Sequence, residues 1–117
     1  MERDTCRVLI VEDDGDVQQL LRTVLRKTCL VLDVAGDGEQ AIEMLRSAPY
    51  DVVLLDLMLP IRNGFEVAEA IAALPKKPRL IVLSAIANHS RDSFPSDTVV
   101  LQKPFEIDDL QAALRGA

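Results

Sequence analysis

Apolar positions follow two rhythms along this chain. Short unbroken apolar runs, rich in branched residues, alternate with longer stretches where apolar residues recur every three or four positions. RVLIV at residues 7–11 is the first run, and Glu12, Asp13 and Asp14 end it. Val17, Leu20, Leu21, Val24 and Leu25 then trace one helical stripe. Asp14 or Asp16 stands where a side chain caps the first turn. Val31–Ala35 reads as a second strand, and Gly36-Asp37-Gly38 as a turn. Asp37 and Gln40 have the spacing of a capping box, with Asp in place of Ser or Thr. Ala41, Ile42, Leu45 and Ala48 give a helical face that Pro49 stops.

Residues 51–55 form the third run and the most continuously apolar one. The loop 60–64 leads into a helix carrying Phe65, Ala68, Ile71 and Ala72, and Pro75 and Pro78 bracket its end. Residues 80–83 read as a fourth strand and 98–101 as a fifth; the last helix uses Ile107, Leu110 and Leu114. Strands that are apolar throughout are buried on both faces, as in a parallel sheet covered by helices, joined by right-handed crossovers. The expected fold is α/β: a doubly wound five-stranded parallel sheet, order 2-1-3-4-5, with helices on both faces. Its fourth helix is expected to be short or distorted, because AIANHSRDSFPSD at 85–97 has no apolar stripe and Pro95 interrupts it. His89 in that stretch reads as a surface histidine. No repeat or linker divides the chain, so residues 1–117 are expected to be a single domain.

Composition narrows the function classes. At 117 residues and 49% apolar, the chain has material for one core of ordinary size. A net charge of −6 and a pI of about 4.7 argue against nucleic acid or an anionic membrane as a bulk electrostatic partner. Solubility alone would also produce an acidic balance. No stretch has the length of a membrane span, and the polar start MERDTC is not a secretory signal. A cytoplasmic location is expected. Cys6 and Cys29 match no metal or redox spacing and read as reduced, buried residues; a disulfide between them stays open.

The remaining puzzle is Asp56, a carboxylate inside VVLLDLMLP at 52–60. In open parallel sheets, groups at the carboxyl ends of strands line a shared crevice where strand order reverses. Glu12 and Asp13 end the first strand and Asp56 ends the third, expected half out of the core. Ser84 ends the fourth strand and Lys103 the fifth. Two carboxylates about 5 Å apart repel by roughly 3 kcal/mol at an effective dielectric of 20. A third makes matters worse, so protons or a cation must sit among them. Few hard oxygen ligands with open positions suit Mg²⁺, and Lys103 adds a compensating charge. A carboxylate beside a divalent metal and a lysine can attack a phosphoryl group to form an acyl phosphate. Ser84 can then donate a hydrogen bond to a phosphoryl oxygen. The plainer reading makes Asp56 a hydrogen-bonded strand-end acid, Asp14 a helix cap and Gly64 a residue serving backbone geometry.

LIVEDD (9–14), AGDGEQAIEML (35–45), DVVLLDLMLPIRNG (51–64), IVLSA (81–85) and KPF (103–105), in this order and spacing, resemble a response regulator receiver domain of two-component signalling. That resemblance covers essentially the whole chain and implies a flavodoxin-like fold. It implies that Glu12 and Asp13 hold Mg²⁺ together with Asp56 and the backbone carbonyl of Met58. It implies Asp56 as phosphoacceptor, Ser84 as switch hydroxyl, Lys103 as the lysine that contacts the phosphoryl group, and a cis peptide before Pro104. Its implied partners are a histidine kinase or phosphotransfer protein, and a downstream protein partner or an output domain elsewhere; nucleic acid and membrane are not expected. The chain departs from the family at Val100, where an aromatic switch residue often stands. Met58 and Ile86, two positions past Asp56 and Ser84, are apolar and are expected to hinder attacking water and slow dephosphorylation. A competing reading is a phosphorylation-independent interaction module with the same fold. A metal-dependent phosphatase with an aspartyl-phosphate would need an acid where Met58 stands, so turnover of an external substrate is not expected.

Overall fold

The computed structural model describes residues 6–26, 31–57, 64–84, 94 and 98–115. Strands β1 (Arg7–Val11), β2 (Val31–Ala35), β3 (Val52–Asp56), β4 (Arg79–Ser84) and β5 (Val99–Gln102) form one parallel sheet in the order β2-β1-β3-β4-β5. Helices α1 (Gly15–Leu25), α2 (Gly38–Ser47), α3 (Gly64–Ala72) and α4 (Ile107–Arg115) cover it. The expected doubly wound fold and strand order are both present. Three strands start or end a residue away from the pattern-based limits: β3 runs to Asp56, β4 from Arg79 to Ser84, and β5 from Val99 to Gln102.

Burial explains the continuous apolar runs. Every residue of β3 is buried, and β4 is buried after Arg79, whereas the edge strands β2 and β5 are mostly half-exposed. Successive side chains point to opposite faces. Val53, Leu55, Leu80 and Val82 therefore pack with Ala41, Leu45, Val67, Ala68 and Ile71 of α2 and α3. Val52, Leu54, Ile81 and Leu83 pack with Leu21 and Leu25 of α1 and Leu110 and Ala113 of α4. A central strand thus needs two apolar faces, and only its last residue is available for chemistry.

The helix starts follow local chemistry. Asp14 caps α1, its Oδ1 accepting from the N–H groups of Asp16 and Val17 at 2.8 and 3.1 Å. Asp37 caps α2 through the Gln40 N–H at 2.8 Å, and the Gln40 side chain reaches back to the Gly36 N–H at 2.7 Å. The expected reciprocal box is there, with its return bond landing one residue early.

Three apolar residues counted into helical faces depart from them. Leu20, Phe65 and Ile107 are 47%, 40% and 48% exposed, because each lies at the border of its helix's apolar stripe, where period alone does not assign a side. Gly64 marks a close approach: a Cβ there would lie 2.5 Å from the Leu57 Cα and 3.0 Å from the Asp56 carbonyl oxygen. Apart from Phe94, the segment expected to hold a short or distorted fourth helix lies outside the described residues, as does Cys29; Cys6 is buried. Among the described residues, no helix is long and apolar enough to cross a membrane.

Candidate functional site

The register of the sheet assembles the site. Strand order reverses beside β1, whose neighbours are β2 and β3. Val11 pairs with Leu55, so Glu12 comes level with Asp56, and Asp13 follows at the rim. Asp56 pairs with Leu83 of β4, and Ser84 pairs with Gln102 of β5. Lys103 is the next residue, its N–H donating to the Ser84 carbonyl at 2.6 Å. The Lys103–Pro104 peptide is cis, as the resemblance implied. All five residues proposed from sequence at strand ends therefore share one edge of the sheet.

Oxygen atoms of Glu12, Asp13 and Asp56 come within 4.8 Å of one another. The Lys103 ammonium donates to Asp56 Oδ2 at 2.8 Å and stands 3.8 Å from Glu12 Oε1. Burial differs from expectation at Asp56, which is only 4% exposed rather than half out of the core. The chain runs past it into Leu57, itself buried, and Lys103 covers its outer side. A carboxylate is tolerated at that depth because an ammonium bonds to it.

Glu12 is the stressed member. It is 2% exposed, and its Oε1 is buried without a hydrogen-bond partner among the described residues. Burial pushes its carboxyl up from 4.5 to about 7; the Asp14 N–H on Oε2 opposes this, the neighbouring Asp56 adds to it, and Lys103 opposes it. For Lys103, burial pulls the ammonium down, but its bond to Asp56 and the charges of Asp56, Glu12 and Asp13 outweigh that and hold it above lysine's ordinary value.

A buried carboxylate oxygen that has no hydrogen-bond partner among the described residues and faces two more carboxylates fits a hard divalent cation. Glu12, Asp13 and Asp56 would supply its protein oxygens, and the remaining positions would go to water and substrate oxygens. Met58, whose carbonyl was expected to join them, and Ile86 lie outside the described residues.

Two contacts at the site carried no sequence signal. The Gln18 side chain donates to the Glu12 carbonyl at 2.5 Å, fixing the peptide between the two acids from α1. Gln18 reads as one more polar helix position, and only the fold shows where it points. The second is the Asp14 backbone N–H on Glu12 Oε2 at 3.1 Å, a bond a spacing argument cannot supply.

A parallel sheet whose carboxyl edge gathers three acids and a lysine offers oxygen ligands for a cation beside an ammonium. The response regulator receiver domain family matches over residues 8–115, and the chain belongs to that family. Phosphorylation-dependent switching is the general function of these domains, and Mg²⁺ binds in their acidic active site. Similar proteins include the response regulator ArlR of Staphylococcus epidermidis, 31% identical over 112 residues, covering 92% of this chain and 50% of ArlR. The transcriptional regulatory protein DltR of Streptococcus agalactiae is 32% identical over 114 residues, with 93% and 50% covered. This chain thus spans about half the length of these relatives. Among solved structures, Thermotoga maritima TrrA in complex with Mg²⁺-BeF superposes with a TM-score of 0.81 at 30% identity, covering 94% of this chain and 96% of that one. The receiver domain of a Pseudomonas aeruginosa sensor histidine kinase, with magnesium in its active site cleft, gives 0.82 at 27% identity, with 94% of each chain covered.

Proposed function

We propose that this chain is a phosphoryl-accepting switch in which Asp56 is the acceptor. Glu12, Asp13 and Asp56, with the Met58 carbonyl, hold Mg²⁺; Lys103 and Ser84 serve the phosphoryl group. The observation that carries this is the 2.8 Å bond from Lys103 to Asp56 within a trio of carboxylates whose oxygens lie within 4.8 Å.

In the proposed step, an Asp56 carboxylate oxygen forms a bond to phosphorus while the phosphorus–nitrogen bond of a phosphohistidine breaks. The imidazole nitrogen keeps the electron pair, and the product is an acyl phosphate. Bound Mg²⁺ supplies charge neutralisation for the transferring oxygens. Lys103, held charged by its acidic neighbours, follows Asp56 Oδ2 and meets the phosphoryl oxygens there. Ser84, tied through its backbone to Lys103, donates its hydroxyl to the same group.

The donor in this reading is a histidine kinase or phosphotransfer protein in the cytoplasm. The product changes the local charge from about −1 toward −2 and adds acceptor oxygens, which alters a surface read by a protein partner or an output domain. No turnover of an external substrate is involved. Incubation with acetyl phosphate and Mg²⁺ tests the reading by mass spectrometry. One phosphoryl group is expected on the parent chain and none on Asp56→Asn; labelling that survives in Asp56→Asn removes Asp56 as the acceptor, and labelling that never forms removes the reading in favour of a phosphorylation-independent interaction module.

A further inference from the structure

Leu57, the residue after Asp56, ties two elements together. Its N–H donates to the Leu83 carbonyl at 3.3 Å, at the end of β4, and its carbonyl accepts from the Gly64 N–H at 3.0 Å, at the start of α3. The missing side chain of Gly64 lets that start lie directly on Leu57 and the Asp56 carbonyl. The next residue, Phe65, stacks on Phe94 with ring centroids 5.8 Å apart and planes 17° from parallel. Phe94 is 7% exposed and shares a core with Leu57, Val67, Ala68 and Val82, against which Val100 of β5 packs. Three residues past Val100, Lys103 bonds back to Asp56.

These contacts form a closed circuit: Asp56, Leu57, Gly64, Phe65, Phe94, the core beside Val100, Lys103, and Asp56 again. We propose that the Phe65–Phe94 stack is the coupling element of this chain, carrying a change at Asp56 to the surface at the start of α3. This rests on the phosphoryl-acceptor reading above. Phosphorylation must alter the side-chain ion pair of the circuit, because the Lys103 ammonium then meets phosphoryl oxygens instead of a bare carboxylate. The rest is close-packed backbone and ring, which moves as discrete rearrangements and not by gradual compression. Phe65 is buried on its stacked face yet 40% exposed overall, so a shift of the pair changes the aromatic surface a partner meets. Val100 brings no ring to this core; in the cluster against which Val100 packs, Phe94 is the ring on which Phe65 stacks.

The test uses the chain labelled with 4-fluorophenylalanine, whose three phenylalanines are Phe65, Phe94 and Phe105. Resonances are assigned from single Phe-to-Leu variants. Mg²⁺ with beryllofluoride is added, and backbone amides of Asp56 and Lys103 are followed in parallel. The Phe65 and Phe94 resonances are expected to move together with those amides. In Phe94→Leu, the Asp56 amide response is expected to persist while the Phe65 response falls by at least about twofold. A Phe65 resonance that stays put while Asp56 responds overturns the coupling and leaves the acceptor reading intact. So does a Phe65 response undiminished in Phe94→Leu. Silence at Asp56 itself removes both. Should Phe94→Leu fail to fold, Phe65→Leu at the half-exposed position gives the reciprocal measurement on Phe94, with the same two outcomes.

Discussion

The ammonium of Lys103 lies 2.8 Å from Asp56 Oδ2 and 3.8 Å from Glu12 Oε1, so removing it has two effects of opposite sign. Lys103→Met takes a positive charge away from the three carboxylates and is expected to tighten Mg²⁺ binding several-fold, by about 1 kcal/mol. The same change removes the group that meets phosphoryl oxygens and is expected to slow phosphorylation from acetyl phosphate by about a hundredfold. Isothermal titration with Mg²⁺ and labelling rates measured on one preparation separate the two effects. Gln18 acts differently, since its side chain donates to the Glu12 carbonyl and not to a carboxylate oxygen. Gln18→Ala is expected to weaken Mg²⁺ binding by about tenfold, as loss of an outer partner of metal ligands does, with the melting temperature nearly unchanged. The types and order of the strand-end residues made Glu12, Asp13, Asp56, Ser84 and Lys103 readable in advance. Gln18 was not readable, because a polar residue on a helix gives no sign of what its side chain reaches.

At the scale of elements, the boundary between what pattern shows and hides is physical. Unbroken apolar runs and period-3.6 apolar spacing report which parts of the chain meet the core, so the five strands and four described helices were legible. They report neither lateral neighbours nor closeness. Asp56 was therefore expected half out of the core, although Lys103, far along the chain, covers it. Leu20, Phe65 and Ile107 were assigned to buried faces they only border. Gly64 shows the second gap, since its role is a distance to Leu57 and not a backbone angle. Gly64→Ala is expected to lift the start of α3 off β3 and cost about 1–3 kcal/mol. Urea denaturation should show a lower midpoint with an unchanged slope, and the Asp56 amide should shift even without a ligand. Asp37→Ala, which removes only the α2 cap, is expected to cost about 1 kcal/mol and to leave the Asp56 amide where it is. If both variants shift that amide equally, α3 has no privileged contact with the acceptor strand.

For the whole molecule, the carboxylate cluster makes stability depend jointly on pH and Mg²⁺. The Glu12 carboxyl titrates near 7 in the folded chain against an ordinary 4.5, because burial disfavours its charge. An acid raised in this way contributes stability that is fully present below about 4.5 and is lost as pH rises to about 7. Comparison with Glu12→Gln isolates that contribution. The stability of the parent relative to this variant, without metal, is expected to fall across pH 4.5–7 by at most about 3 kcal/mol and to level off above. Mg²⁺ reverses the trend, because the cation needs the same carboxylate deprotonated and competes with its proton. At a hundred times its dissociation constant a bound ion adds about 2.7 kcal/mol. The rise in melting temperature on adding Mg²⁺ is therefore expected to grow from pH 5 to pH 7 and then flatten, and its growth is expected to be lost in Glu12→Gln. Calorimetric scans with and without Mg²⁺ across that range provide the measurement. A Mg²⁺ increment independent of pH would mean that Glu12 is already charged without metal. The buried oxygen with no hydrogen-bond partner would then need a different occupant.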